Sequence, residues 1–287
     1  MLWLLGQFLL LRRTHSSGEV QPTSYALLTI FSLLAGLLLG YGLLGVAPWI
    51  PKFHWHYWPY TLLTSCVIAA AAQFCSDKHA LKVLLVVSTA IPVAWFLVPT
   101  WPDLQPSRMV YLVATVVFLT LVTFSYDRNF TRAKESNRGE INYLHLGLTA
   151  SQISLVVLIF LSGSLRFTQL AMLAASCVIS LQLIPKARCF FDATAFPICA
   201  MQVGLLLVAE VHSFSAIPKL VYLLIPLSPV VTMIGSLGRN LSNSDGHRAG
   251  WLGPAAWINL WLPASLCLSA ILWAVAVTDF STGGESY

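Results

Sequence analysis

The sequence predicts an all-α protein: a polytopic transmembrane helical bundle of about nine spans, with a short interfacial helix ahead of them. Three observations lead there. Of 287 residues, 57% are apolar and 9% are charged, against roughly 25% charged in an ordinary soluble domain. The apolar residues gather in nine long stretches nearly free of ionised side chains, each close to the length a helix needs to cross about 30 Å of hydrocarbon. Lys and Arg are dense in alternate gaps between the stretches and sparse in the others, which is how positive charge sorts across a bilayer.

The spans follow in order. The first covers Tyr25–Val46 and ends before the gap holding Lys52. The second, Tyr57–Phe74, carries the small-residue run Ala69–Ala72, which permits close helix approach. The third, Val83–Val98, contains Pro92. The fourth, Met109–Phe124, follows Arg108. The fifth, Ile141–Leu161, has His145 one turn in and Gln152 near its middle. The sixth, Thr168–Ile184, contains Ala174-Ala175-Ser176 and Gln182. The seventh, Ala193–Val211, holds Pro197, Gln202 and Glu210. The eighth, Val221–Leu237, includes the run from Ile225 to Pro229 with Pro226 and Pro229. The ninth, Pro254–Val277, holds Asn259 and Pro263. Lipid offers no partner for a bare backbone polar group, so each span must be helical. The chain divides into an N-terminal segment (1–24), one nine-span domain (25–278) and a short tail (279–287).

Orientation follows from charge. Lys52, Arg108, Arg166 and Lys219 fall on one side, and the other twelve of the sixteen Lys and Arg fall on the side of the N-terminus. The richer side is cytoplasmic. This places the protein in the cell membrane with its N-terminus inside and its C-terminus outside, and sets anionic lipid against a basic inner face. The net charge of +5 does not point to nucleic acid, because the basic residues are spread over gaps between spans. Met1–Leu11 is apolar but short, and Arg12 and Arg13 follow it instead of preceding it. It does not read as a secretory signal; an interfacial helix on the cytoplasmic leaflet is the favoured reading, with a tenth span as the alternative.

The longest predicted loop is Ser125–Glu140, highly charged and cytoplasmic. Its plain reading is a solvated connector, and its sharper one a docking surface for a partner subunit. A second inner loop, Arg239–Gly250, is rich in Ser, Asn and Gly. The prolines of the third, seventh, eighth and ninth spans each remove a helical hydrogen bond. Pro226 and Pro229 do so close together, which disturbs the backbone near mid-membrane.

Ionisable groups within spans suggest function; here Glu210 and His145 are the only ones, near opposite faces. His54 and His56 sit in the aromatic run Trp49–Tyr60. In an extended stretch they point to one side, so with His212, Glu210 and Asp103 they could hold a metal. The plain alternative is an interfacial aromatic belt. Glu210 and His212 point in nearly opposite directions on a helix, and an ion pair of Glu210 with Lys219, Arg166 or Arg108 is its ordinary explanation. The amides Gln152 and Gln202, with Glu210 and Pro226, are the candidate substrate contacts. Hydrogen bonds between helices are the ordinary role of such amides.

No phosphate-binding glycine loop, His-Glu-x-x-His or Gly-x-Ser-x-Gly motif occurs, so no catalytic class and no cofactor is indicated. Three functions compete. The favoured one is a permease, or the membrane subunit of a transport complex, for a small or lipophilic solute. The others are a non-catalytic assembly subunit, and a metal- or haem-dependent enzyme with an outer-face His/Glu site.

Overall fold

A computed structural model describes residues 22–45, 48–74, 79–136, 138–184, 187, 189–212, 217–242 and 254–282. The predicted interfacial helix Met1–Leu11 lies outside these residues, as do residues 243–250 and 283–287. Among the described residues all regular structure is helical, with no strand. The α-helices are α1 (Pro22–Leu44), α2 (Trp58–Gln73), α3 (His79–Leu97), α4 (Arg108–Ser136), α5 (Arg138–Leu161), α6 (Leu165–Gln182), α7 (Ala195–Val211), α8 (Lys219–Ser242) and α9 (Pro254–Thr282). Short 3-10 turns precede α2 at His54–Tyr57 and α7 at Phe191–Thr194.

One helix stands at each apolar stretch. Five are long and apolar enough to cross a membrane: Thr23–Leu44, Arg108–Thr131, Leu144–Leu161, Leu165–Gln182 and Phe191–Val211. Val83–Leu97, Lys219–Val231 and Ala264–Thr278 are shorter apolar helices. The surface of these helices is itself apolar: Phe31, Leu39, Val113, Val117, Ile153 and Phe160 are all exposed. Meanwhile Thr29, Ser151, Gln152 and Gln202 are buried. Apolar side chains outside and amides inside are the arrangement that lipid favours and water penalises.

The described residues form two compact units. The first takes in those up to Thr120 together with Ser176–Gly204; the second takes in Leu121–Ala175 and those from Leu205 onward. The divisions fall inside α4, α6 and α7.

In the first unit α1 packs on α2, and α2 on α3. Ile30, Leu33, Leu37 and Tyr41 of α1 are buried at the three- and four-residue spacing of one helix face. Ala26, Ile30 and Leu34 of α1 join Cys66 and Ala69 of α2 and Ala193 in one apolar cluster, with Leu38, Ala70 and Phe190 against it. Ala69, from the run Ala69–Ala72 read in the sequence as permitting close approach, lies in this cluster. Pro59 lies in the first turn of α2, where no helical bond is lost.

In the second unit α9 packs on both α8 and α5, and α8 touches α5. Gly163 ends α5 with φ at +84°, a conformation that favours glycine. Its N–H bonds the Phe160 carbonyl at 3.0 Å.

Four sequence expectations are corrected. Ser125–Glu140 is not a loop: α4 continues to Ser136 and α5 begins at Arg138. The segment Ser125–Ser136 has no Gly or Pro, and its Tyr126 and Phe130, one turn apart, are buried. Charge marked where hydrocarbon would end, not where the helix does. Likewise Arg239–Ser242, the start of the second inner loop, is the end of α8. Pro197 does not interrupt its helix, because α7 starts at Ala195 and a first-turn proline breaks no bond. Pro92, Pro226 and Pro229 do lie inside helices. His54–Tyr57 is a 3-10 turn, not extended chain.

Candidate functional site

The predicted site residues divide between the two units. In the first, the 3-10 turn rotates His54 and His56 away from the alternation of a strand. His56 is buried, 2% exposed, and its Nδ1 accepts the Lys52 backbone N–H at 3.0 Å. Its ring meets Trp55 edge-on, with centroids 4.1 Å apart. His54 instead accepts the Thr100 backbone N–H through Nε2 at 3.3 Å. Both imidazoles thus fasten loop backbone, one within the turn and one to the chain after α3.

The aromatic run is held in the same manner. The Tyr60 hydroxyl donates to the Trp49 carbonyl, Tyr57 stacks on Phe96 at 5.0 Å, and Tyr41 meets Trp49 edge-on at 5.3 Å. Arg108 lies over the Trp95 ring, 4.4 Å from its centroid, and donates to the Trp95 carbonyl. Such a cation–π contact contributes about 0.5–1 kcal/mol at an exposed site. Gln202 is also in this unit, wholly buried in α7.

In the second unit Glu210 Oε1 and Lys219 Nζ are 3.2 Å apart, joining the end of α7 to the start of α8. The Lys219 side chain is mostly exposed, so the pair is worth at most about 1 kcal/mol. His212 packs its ring on Phe167, with centroids 5.8 Å apart. Glu210 and His212 therefore engage different partners, as their spacing implied. Among the described residues no three His, Cys, Asp or Glu side chains are placed to hold a metal ion. The outer-face metal site expected at His54, His56 and His212 gains nothing from the structure.

The interior of the second unit also holds polar groups. Asn129 of α4 donates through Nδ2 to the Pro229 carbonyl of α8 at 2.8 Å, across a proline that gives no N–H of its own to the helix. Cys267 of α9 and Ser154 of α5 are both buried. His145 is buried against Phe130, with ring centroids 5.4 Å apart. Gln152 is 0% exposed, and neither its amide nitrogen nor its amide oxygen meets a protein partner. The hydroxyl of Thr123, a residue 4% exposed, likewise has none. A buried polar group left in that condition costs about 1–3 kcal/mol, so Gln152 and Thr123 together represent a considerable load on a small unit.

Comparison with protein-family models, with curated proteins and with solved structures finds no match. The chemistry of the site therefore rests on its own residues. Of the candidate substrate contacts, Gln152, Pro226 and Glu210 belong to the second unit and Gln202 to the first. Pro226 lies within α8, one turn before the proline whose carbonyl Asn129 engages. Thr123 and Asn129 were not singled out from the sequence. The available signal was their placement seven and one residues from Phe130, on a segment read as span and loop instead of one helix.

Proposed function

We propose that this chain is a multi-pass membrane protein of nine spans, acting as a permease or as the membrane subunit of a transport complex for a small, uncharged or lipophilic solute. The supporting observation is Gln152: a wholly buried amide without a protein partner at either atom, in helices whose outer surfaces are apolar. A hydrogen-bonding group inside such a bundle has a use where a solute must shed water to cross. The two prolines inside α8 support the same reading, because they remove amide donors from a helix that borders the same unit's interior. Gln202, Glu210 and Pro226 are the further contacts we propose.

The orientation we propose has the N-terminus in the cytoplasm and the C-terminus outside, in the cell membrane. The end of α4 and the start of α5 then lie at the inner leaflet. Their Arg128, Arg132, Lys134 and Arg138 suit anionic headgroups or a cytoplasmic partner subunit.

Purified protein in liposomes, challenged with acetamide or glycerol gradients in a stopped-flow light-scattering experiment, tests the activity. Vesicles with protein should re-swell faster than empty ones, and Gln152→Leu should slow them. Equal rates for loaded and empty vesicles with both probes would refute the permease reading. Accessibility tagging tests the map independently: tags at Arg128 and at Lys52 should report opposite compartments, and a shared compartment refutes it.

A further inference from the structure

The hairpin of α4 and α5 sets which interior groups face each other. α4 ends at Ser136 and α5 begins at Arg138, and the rings of Phe130 and His145 meet at 5.4 Å. The two helices therefore fold back antiparallel, with position 130 opposite position 145. Moving seven residues from that layer, back along α4 and forward along α5, reaches Thr123 and Gln152. Seven residues is nearly two full turns, so each lies on the same helix face as its ring partner, within about 20°, and about 10 Å deeper. The layer between them holds Tyr126, stacked on Phe130, and Thr149, whose hydroxyl is satisfied by the His145 carbonyl at 2.9 Å. In the Thr123 and Gln152 layer neither the hydroxyl nor either amide atom finds a protein hydrogen-bond partner.

The chemistry of this layer is specific. The Gln152 amide offers two N–H donors and a carbonyl acceptor, and the Thr123 hydroxyl offers one of each kind. No ionisable side chain occurs in residues 121–125 or 149–156, so an ion there would find no countercharge. We propose that Thr123 and Gln152 form a binding site for an uncharged hydroxyl- or carboxamide-bearing group in the interior of the second unit. This names the substrate class of the permease reading and rests on it for its purpose, but the site stands or falls by separate measurements.

The test uses the full chain in proteoliposomes. Thr123→Cys, Gln152→Cys and the buried apolar control Leu155→Cys are exposed to uncharged methyl methanethiosulfonate, with modification read peptide by peptide so that native Cys267, buried in the same unit, serves as an internal reference. Positions 123 and 152 should react about tenfold faster than position 155 or Cys267, because rate follows access. Acetamide and glycerol should each slow both. Labelling no faster than at position 155 overturns the site. So does labelling that neither acetamide nor glycerol slows, which would mean that water alone enters. The conservative pair Gln152→Asn and Thr123→Ser, checked as monodisperse by size exclusion, covers a misfolded cysteine variant. Where the unaltered protein carries acetamide flux, it should survive in that pair and fall in Gln152→Leu and Thr123→Val; equal, non-zero flux in all four overturns the site. Protected labelling without any flux in the unaltered protein would leave the site and remove the permease. Flux without labelling would do the reverse.

Discussion

Gly204 provides a stringent test of packing in the first unit. A methyl group built on Gly204 would sit 3.0 Å from Leu97 Cδ1 and 3.3 Å from Trp58 Cδ1, inside the ordinary carbon–carbon contact of about 3.5–4.0 Å. Trp58 is 1% exposed and Leu97 2%, so neither has open space to retreat into. Overpacking of this kind costs about 1–3 kcal/mol, and the better helix propensity of alanine returns about 1 kcal/mol. Gly204→Ala should therefore destabilise by roughly 0–2 kcal/mol, an interval too wide to be decisive alone. The double-mutant cycle sharpens it. Leu97→Ala alone should cost about 2–5 kcal/mol by opening a cavity. In that background the closer contact is gone and only Trp58 Cδ1 at 3.3 Å remains tight, so Gly204→Ala should become less costly by about 1–3 kcal/mol. The coupling, about 1–3 kcal/mol, is read from equilibrium unfolding in mixed micelles, followed by tryptophan fluorescence. Additivity within about 0.5 kcal/mol would refute the contact and with it the fit of α7 against α2 and α3.

Other consequences are simpler to check. His56→Ala should destabilise by about 1–2 kcal/mol, since it strands a backbone N–H and opens a buried position, whereas His54→Ala should cost under about 1 kcal/mol; thermal melts in detergent compare them, and equal losses would contradict the burial difference. Asn129→Ala removes the bond to the Pro229 carbonyl and should lower stability by roughly 1 kcal/mol, with no loss refuting a role in holding α4 to α8. Gly163→Ala forces a side chain into a left-handed backbone and should cost about 1 kcal/mol, although it touches nothing; an unchanged melting temperature would count against that turn. Lys219→Ala should change stability by less than about 1 kcal/mol, and the difference should shrink at high salt; a large salt-independent loss would mean a far more buried pair.

Much of the fold was legible because its causes are local. Helix formation depends on hydrogen bonds four residues apart, and long apolar runs mark where they form. A helix accordingly stands at every stretch read as a span. The ion pair of Glu210 was legible for a related reason: Lys219 lies just beyond a short connection. Local reasoning failed where the marker and the cause differ. Charge density at Ser125–Glu140 resembled a loop, yet residues such as Arg, Ala, Lys and Glu extend a helix as readily in water as apolar ones do in lipid. The alternation invoked for His54 and His56 assumed extended chain, and the 3-10 turn leading into α2 cancelled it.

By itself the sequence determined that the protein is helical, where its helices lie and how few charges they carry, since each follows from composition along the chain. Only the tertiary structure decided that Gln152 is buried without a protein partner while Gln73, at the end of α2, bonds its own helix at the Ala69 carbonyl. It alone brought the rings of Phe130 and His145 together, the contact from which the pairing of Thr123 with Gln152 is inferred. That pairing depends on where the α4–α5 hairpin turns, and a shift of one residue rotates every facing side chain by about 100°. Register is a property of two helices packed together, so no single run of residues can specify it.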